Sequence, residues 1–415
     1  SQSFYKINID GTPLKDLSNS RLRQFGGTSA TWGGWCKPLY NLDLIKFGFD
    51  PREIEKYQNQ TCKILEIENS FKESVINENF NQIEFQFSKV RFYEKYFDHV
   101  KKSKKIHLIL NTQLSHFEGK NKNIEKAVCI SNGEFSEIES REFVLCCGGI
   151  ENSRILLWSK FKNKELFDEK LNIGNYWMTH YWVLGGVGFV DIKNFKSFMK
   201  NDFINYEGPI HIASTEKKSK EKLQVGLYLS TNDDQNFIKE IVKSVLCIAP
   251  EYGKKISKLI LNKRIKCGNI FMHIEEEAIS DNKIVLDQNK KDAYGIPFAK
   301  LEYKSSLNSK KIAKVELEKL ANLFKQNDLG RIAMADELYN LKEFESMGDY
   351  HHMGGTRIGD TLKDSVITKD FKVHNINNLY ISGSSSFRIG TYKNPTFAII
   401  QFSLKLANDL KNKLV

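Results

Sequence analysis

The sequence contains no Cys-x-x-Cys pair, and its seven cysteines are an odd number: Cys36, Cys62, Cys129, Cys146, Cys147, Cys247 and Cys267. That argues against a disulfide framework or a zinc site, and no metal is expected. It fits a reducing compartment, so a cytoplasmic location is the expectation. No apolar run reaches the ~18 residues that a membrane span needs, so none is expected. No signal peptide opens the chain. Short repeats and low-complexity linkers are missing as well. Lysine and arginine exceed the acids by a net +11, with a pI of about 9.0. A basic surface can mark an anionic partner. Here the bases are scattered among acids, as at Lys217–Lys222 and Lys290–Lys291. No RNA- or DNA-binding signature accompanies them, so no nucleic-acid partner is expected.

What is present is ordinary globular material. Of 415 residues, 40% are hydrophobic and 27% charged, and 28 are Phe. That length suggests about two to four domains. Three motif-dense islands stand apart, at Arg21–Tyr40, Ile106–Ser159 and Tyr350–Leu410. The stretch 180–345 shows alternating patterns with few motifs. A site assembled from distant islands around such an insert is the pattern of a cofactor domain interrupted by a substrate domain.

In the second island, Ile106–Leu110 reads as a short strand. Lys126–Ser131 and Glu134–Glu139 read as strands about a turn at Asn132-Gly133. Phe143-Val-Leu-Cys-Cys147 is a continuous apolar run ending in Gly148-Gly149, which suggests a sheet covered on both faces. Asn152 or Ser153 is placed to cap a helix over Arg154–Lys160. In the third island, Asn378–Ser382 reads as a buried strand and Gly383–Ser386 as a tight polar turn. A helix is expected from Asn394-Pro395, with Phe397, Ile400, Leu404 and Ala407 at helical spacing.

The first island contains Gly26-Gly-Thr-Ser-Ala-Thr-Trp-Gly-Gly34, with four glycines and three hydroxyls in nine residues. Such a loop lets backbone N–H groups approach phosphate oxygens; an ordinary turn cluster has the same composition. Arg23-Gln-Phe-Gly-Gly-Thr-Ser29 resembles the Arg-x-x-Gly-Gly-x-Ser segment of the glucose–methanol–choline oxidoreductases. The continuation Thr31-Trp-Gly-Gly-Trp-Cys36 is closer to the pyranose oxidase branch. Val144-Leu-Cys-Cys-Gly-Gly-Ile-Glu-Asn-Ser-Arg154 resembles the family's strand–Gly-Gly–helix element. It continues as Ser159-Lys-Phe-Lys162 rather than Ser-Gly-x-Gly, which weakens any transfer of substrate. Gly174-Asn-Tyr-Trp-Met-Thr-His180 resembles a further segment, in which a structural role is expected for His180. The most specific match is Tyr350-His-His-Met-Gly-Gly-Thr-Arg-Ile-Gly359, followed by Val373–Phe387 and Gly390-Thr-Tyr-Lys-Asn-Pro-Thr396.

The resemblance implies a cofactor and a reaction. FAD would lie along Arg23, Gly26, Gly27, Thr28, Ser29, Thr31, Trp32 and Gly33, with Gly148, Gly149, Asn152, Gly383, Ser384, Pro395 and Thr396 contributing. Some relatives carry a flavin-linked His where Thr31 stands here, so non-covalent FAD is expected. Oxidation of CH–OH requires loss of a proton with the hydride, and histidine is the natural base. His351 takes the base position and Asn394 the partner position. In branches with one fewer residue before Gly-Thr, His352 takes the base position instead. An extended segment would point the two rings to opposite faces. Without the resemblance, either histidine reads as a hydrogen-bonded structural residue and Asn394 as a helix cap. Glu275-Glu-Glu277 could supply a further base but reads better as a solvated turn, Asp292–Pro297 reads as a hairpin turn, and Trp35 and Trp177 could line the pocket but read better as core.

No Gly-x-Gly-x-x-Gly occurs, although relatives use it for the ADP half of FAD. A truncated sequence is the expected cause, and a degenerate form that no longer binds FAD is the other reading. The expected fold is α/β. It comprises an FAD-binding Rossmann-like domain, incomplete at its N-terminus, and an inserted α+β substrate-binding domain. Residues 1–50, 106–175 and 346–415 are assigned to the first and 176–345 to the second. Segment 51–105 is expected to be peripheral and helical. The expected function is oxidation of a sugar, polyol or other small-molecule alcohol to a carbonyl, with an unspecified electron acceptor. The alternative is a non-catalytic binding protein.

Overall fold

Two hydrophobic clusters organise the chain in a computed structural model that describes residues 3–4, 7–12, 14, 17–199, 210–215, 225–231, 265–343 and 351–415. Cys247, Lys217–Lys222 and Tyr350 lie outside the described residues.

The first cluster forms around a parallel strand pair, Phe143–Leu145 beside Leu379–Ile381. These strands are short and apolar. They are flanked by the Gly148–Lys162 helix and the C-terminal helix, Thr396–Leu414. Phe402 of the latter meets Phe47, Phe49, Phe371 and Phe387 at ring separations of 5.2–5.8 Å. The long excursion between the paired strands supplies most of the second cluster, to which Ile7, Leu14, Leu17 and Phe80 add from earlier in the chain.

The second cluster lies against a seven-stranded sheet. Its order is 330–334, 180–191, 265–275, 225–231, 210–214, 80–83, 73–75. All of its pairings are antiparallel. Strand His180–Asp191 alternates, burying Tyr181 and Val183 while Trp182 and Leu184 stay partly exposed. The Leu307–Gln326 helix shields this cluster with Ala313, Leu317, Leu320 and Phe324, which are buried at helical spacing. Ser306 caps it, its Oγ accepting from Ser309 N at 3.2 Å. A three-stranded sheet, Lys283–Lys291, Pro297–Tyr303 and Asn8–Gly11, adds Ile284, Ala299, Leu301 and Tyr303 to the second cluster.

Several expectations hold. Strands Asn123–Ser131 and Glu134–Glu139 turn at Asn132 and Gly133, both with positive φ (50° and 88°), which suits a tight hairpin. At Asp292–Pro297 the Asp292 Oδ1 accepts from Tyr294 N and Ile296 N, closing the hairpin turn.

Others need correction. Ile106–Leu110 forms no strand. Ile106, Ile109 and Leu110 are exposed with no neighbouring strand, and pairing starts at Thr112. The apolar run at 143–147 is not covered on both faces, because Val144 is 43% exposed and Cys146 and Cys147 are open. The helix after it starts at Gly148, so Asn152 and Ser153 lie inside it and do not cap it by position. The C-terminal helix starts at Thr396 with Pro395 as its cap residue, and Ala407 is exposed. Segment 51–105 is helical at Pro51–Glu55, Gln58–Leu65 and Phe92–Lys102. Strands Glu73–Val75 and Phe80–Ile83 within it extend the large sheet, so it is not merely peripheral. Glu275 and Glu276 are buried rather than solvated.

Candidate active site

The Gly148–Lys162 helix brings the second and third sequence islands together. Asn152 Oδ1 accepts from Cys147 N at 2.7 Å, and its Nδ2 donates to Ser385 Oγ at 2.7 Å. Ser384 Oγ donates to the His352 carbonyl at 2.5 Å. A Cβ on Gly149 would stand 2.2 Å from that same carbonyl oxygen, so only glycine permits this approach. Gly148, Gly149, Asn152, Gly383, Ser384 and His352 are thus one assembly.

The first island joins it by a different route. Trp32 Nε1 donates to Val90 O at 2.8 Å, and its ring shares a cluster with Phe397 and Ile400 of the C-terminal helix. Gly26, Gly27, Thr28 and Ser29 form an exposed or half-exposed single turn, with Thr31 and Gly33 following it. Arg23 is exposed and pairs with Gln113.

The two adjacent histidines do face opposite ways. His352 is buried, stacks on Trp177 at 6.0 Å, and its Nε2 lies 2.7 Å from Ser20 Oγ. Ser20 Oγ already donates to Leu17 O at 2.6 Å, so His352 Nε2–H donates to Ser20. Burial, then the nearby Arg21 charge, push the His352 pKa down to about 3.

His351 turns toward the large sheet. It hydrogen-bonds His180, with ring centroids 4.4 Å apart. His180 Nδ1 lies 2.6 Å from the Thr391 carbonyl, and His273 stands 5.3 Å from His180 with its Nδ1 3.4 Å from the Tyr392 carbonyl. His211 packs on Trp35 and Phe85 of the same wall. Burial lowers the pKa of His180 and His211 to about 4 and those of His273 and His351 well below the ordinary value. All four are neutral at pH 7. His180 is therefore part of the polar cluster and not only a packing residue.

The segment that receives these hydrogen bonds continues into Lys393 and Asn394. Lys393 Nζ bonds Asp43 Oδ2 at 2.7 Å, both side chains fully enclosed, and lies 3.4 Å from the Tyr40 ring centroid. That ion pair anchors the loop to the start of the Asn41–Lys46 helix, where Asp43 also accepts from Tyr40 N. Among the described residues, the buried Asn394 Oδ1 has no partner and no side chain caps the following helix. The amide oxygen is thus not spent on a helix cap.

Sequence reasoning missed His211, His273 and the Lys393–Asp43 pair. One signal was available, a lysine set directly before Asn-Pro at a helix start. The histidines lie on strands whose pairing is not legible locally.

The residues present fit a flavin dinucleotide. Gly27, Gly148 and Gly383 have positive φ and nothing within 4 Å of where a Cβ would sit, which leaves backbone open to a ligand. The Gly148–Lys162 and C-terminal helices begin without side-chain capping bonds, and helix N-termini favour anionic groups. Among the described residues no group of histidine, cysteine and carboxylate side chains could hold a metal ion.

Comparison with known proteins gives one matched region and a shared fold. Residues 278–403 match the family model described as GMC oxidoreductase. The chain is 22% identical over 290 residues to the fructose dehydrogenase large subunit of Gluconobacter japonicus, covering 67% of this chain and 48% of that protein. It is 26% identical over 130 residues to 2-methyl-1,2-propanediol dehydrogenase of Mycolicibacterium austroafricanum, covering 31% of this chain and 22% of that protein. The chain thus spans about half the length of the first relative and less of the second. Formate oxidase shares the fold with a TM-score of 0.55 at 11% identity, over 99% of this chain and 88% of that one. Pyridoxine 4-oxidase from Mesorbium loti does so with a TM-score of 0.52 at 11% identity, over 80% of this chain and 64% of that one. Motifs, the matched region 278–403 and the shared fold agree in one resemblance, to the GMC oxidoreductases.

Proposed function

We propose that this protein oxidises a CH–OH group of a small sugar, polyol or other alcohol, with non-covalently bound FAD accepting the hydride. The observation that carries the reading is the orphaned Asn394 Oδ1, held at a helix start beside the loop that bonds the histidine wall. A buried polar atom without a partner is costly, and a ligand that supplies the partner removes that cost. Asn394 would bond the substrate hydroxyl and orient it. His351, neutral and half-buried, would take the hydroxyl proton. His352 is held by Ser20 and Trp177 on the other side and would fix the glycine-rich turn. FAD when bound supplies the hydride acceptor. Gly26–Ser29, Gly33, Gly148, Gly149, Gly383 and Ser384 would hold it, with Arg23, Thr31, Trp32 and Asn152 supporting. Pro395 and Thr396, at the uncapped helix start, would place positive potential near it. Thr31 offers no imidazole for a covalent link.

The large polar wall suits a polyhydroxylated substrate, and the names of two relatives, a fructose and a propanediol dehydrogenase, support that class. Among the described residues no helix is long and apolar enough to cross a membrane.

The test is anaerobic. Protein loaded with FAD is mixed with sugars, polyols and simple alcohols while the flavin absorbance is followed. Bleaching by one class is expected, with His351→Ala slowing it by about 10²–10⁴-fold. Acid precipitation should release the flavin. Loss on His352→Ala with none on His351→Ala would move the base to His352. Protein that retains no flavin would leave the binding-protein reading instead.

A further inference from the structure

His180 makes two hydrogen bonds whose directions are fixed by chemistry. Its Nδ1 faces the Thr391 carbonyl at 2.6 Å, and a carbonyl only accepts, so Nδ1 carries the hydrogen. A neutral imidazole has one N–H, so His180 Nε2 bears a lone pair. That nitrogen faces His351 Nδ1. His351 must therefore donate from Nδ1, and its own lone pair lies on Nε2. Nε2 has no partner among the described residues, and the ring keeps partial exposure.

We infer that His180 is a positioning residue that holds His351 in the Nδ1–H tautomer, leaving Nε2 as the acceptor for a substrate proton. The inference rests on the proposed alcohol oxidation only in its last clause. When Nε2 takes the hydroxyl proton, His351 becomes an imidazolium whose Nδ1–H already points at a lone pair. That proton can pass to His180 Nε2, leaving His351 neutral with Nε2–H. His180 then holds the charge, its Nδ1–H still bonded to the Thr391 carbonyl. In the first stage the substrate O–H bond breaks and an N–H bond forms at His351 Nε2; in the second the His351 Nδ1–H bond breaks and an N–H bond forms at His180 Nε2; the hydride from the carbon goes to the bound flavin. Two neutral imidazoles in series spread a charge that one buried ring would hold poorly. His273, next along the wall, turns its Nδ1 to the Tyr392 carbonyl.

Two variants separate positioning from relay. Glutamine at 180 has an N–H₂ for the Thr391 carbonyl and an oxygen for His351 Nδ1–H, but it does not accept a second proton at neutral pH. Leucine does neither. The first readout is the ¹⁵N spectrum of ¹⁵N-histidine-labelled protein, recorded without substrate. In the unmodified protein and in His180→Gln, His351 should show an N–H signature at Nδ1 and a lone-pair signature at Nε2. In His180→Leu the pattern should reverse or average. The second readout is alcohol-driven flavin reduction. The rate constant should fall at least tenfold in His180→Leu and by a smaller factor in His180→Gln, with little change in the alcohol concentration at half-saturation. An Nε2–H tautomer in the unmodified protein, or one that stays Nδ1–H in His180→Leu, would overturn the inference. If the tautomer follows residue 180 while His351→Ala reduces flavin normally, the positioning role stands and the base assignment is the part that fails.

Discussion

At the scale of single residues, burial decides what each titratable group can do. Glu276 was expected in a solvated turn, yet it is buried beside Tyr181 and Tyr303 and accepts from Ser306 N at 2.7 Å. Burial outweighs those bonds and raises its pKa from 4.5 to about 8. The folded state therefore holds a proton that the unfolded chain releases above its own carboxylate pKa. The linked stability is full below about pH 4.5 and is lost as pH rises toward 8. Glu276→Gln should flatten that decline, raising the melting temperature more at pH 8 than at pH 5. Equal shifts at both values would show that Glu276 is ionised in the fold. The histidine motif was legible from residue types and spacing alone. Its partner was not, because His180 reaches His351 only after strand His180–Asp191 joins its sheet.

At the scale of elements, the Gly148–Lys162 helix shows how backbone clearance outranks capping preference. Asn152 and Ser153 looked like caps because those residue types accept from exposed N–H groups. The helix instead starts six residues earlier than the expected Arg154, at two glycines, and Asn152 reaches back to Cys147 N and across to Ser385. Close approach to the His352 carbonyl explains the start at glycine. Gly149→Ala places a methyl 2.2 Å from that oxygen, so the 351–355 segment must shift. We expect at least tenfold weaker FAD binding in titrations, with the far-ultraviolet circular dichroism spectrum unchanged. Unaltered FAD affinity would mean that the contact is not part of the cofactor cradle. Hairpins were legible because Asn132-Gly133 and Asp292 carry their own turn chemistry. The Ile106–Leu110 error has the opposite cause, since five residues of strand-like composition have no partner to pair with.

At the scale of the whole molecule, the mixed α/β architecture was legible from the islands. The make-up of the large sheet was not. Strands Glu73–Val75 and Phe80–Ile83 add to strand Ile210–Ser214 from far away in sequence, and no local pattern announces such a partner. The aromatic centre of the first cluster shows the same reach. Phe402 meets rings from residues 47, 49, 371 and 387. Phe402→Ala should destabilise the fold by about 3–5 kcal/mol, read by denaturant unfolding. A loss below about 1 kcal/mol would mean that the elements gathered there are held by other contacts.

The parallel pair Phe143–Leu145 and Leu379–Ile381 brings the two ends of a very long excursion back to neighbouring rungs. The Gly148–Lys162 helix and the turn at Gly354 and Gly355 lie on that excursion too, yet they pack back against the rungs. His180, His211 and His273 instead ride on strands of the large sheet, while Asn394 and Gly383 follow the second rung directly. A chimera that exchanges the large-sheet strands alone would keep the turns that would grip the cofactor and change the wall that faces them.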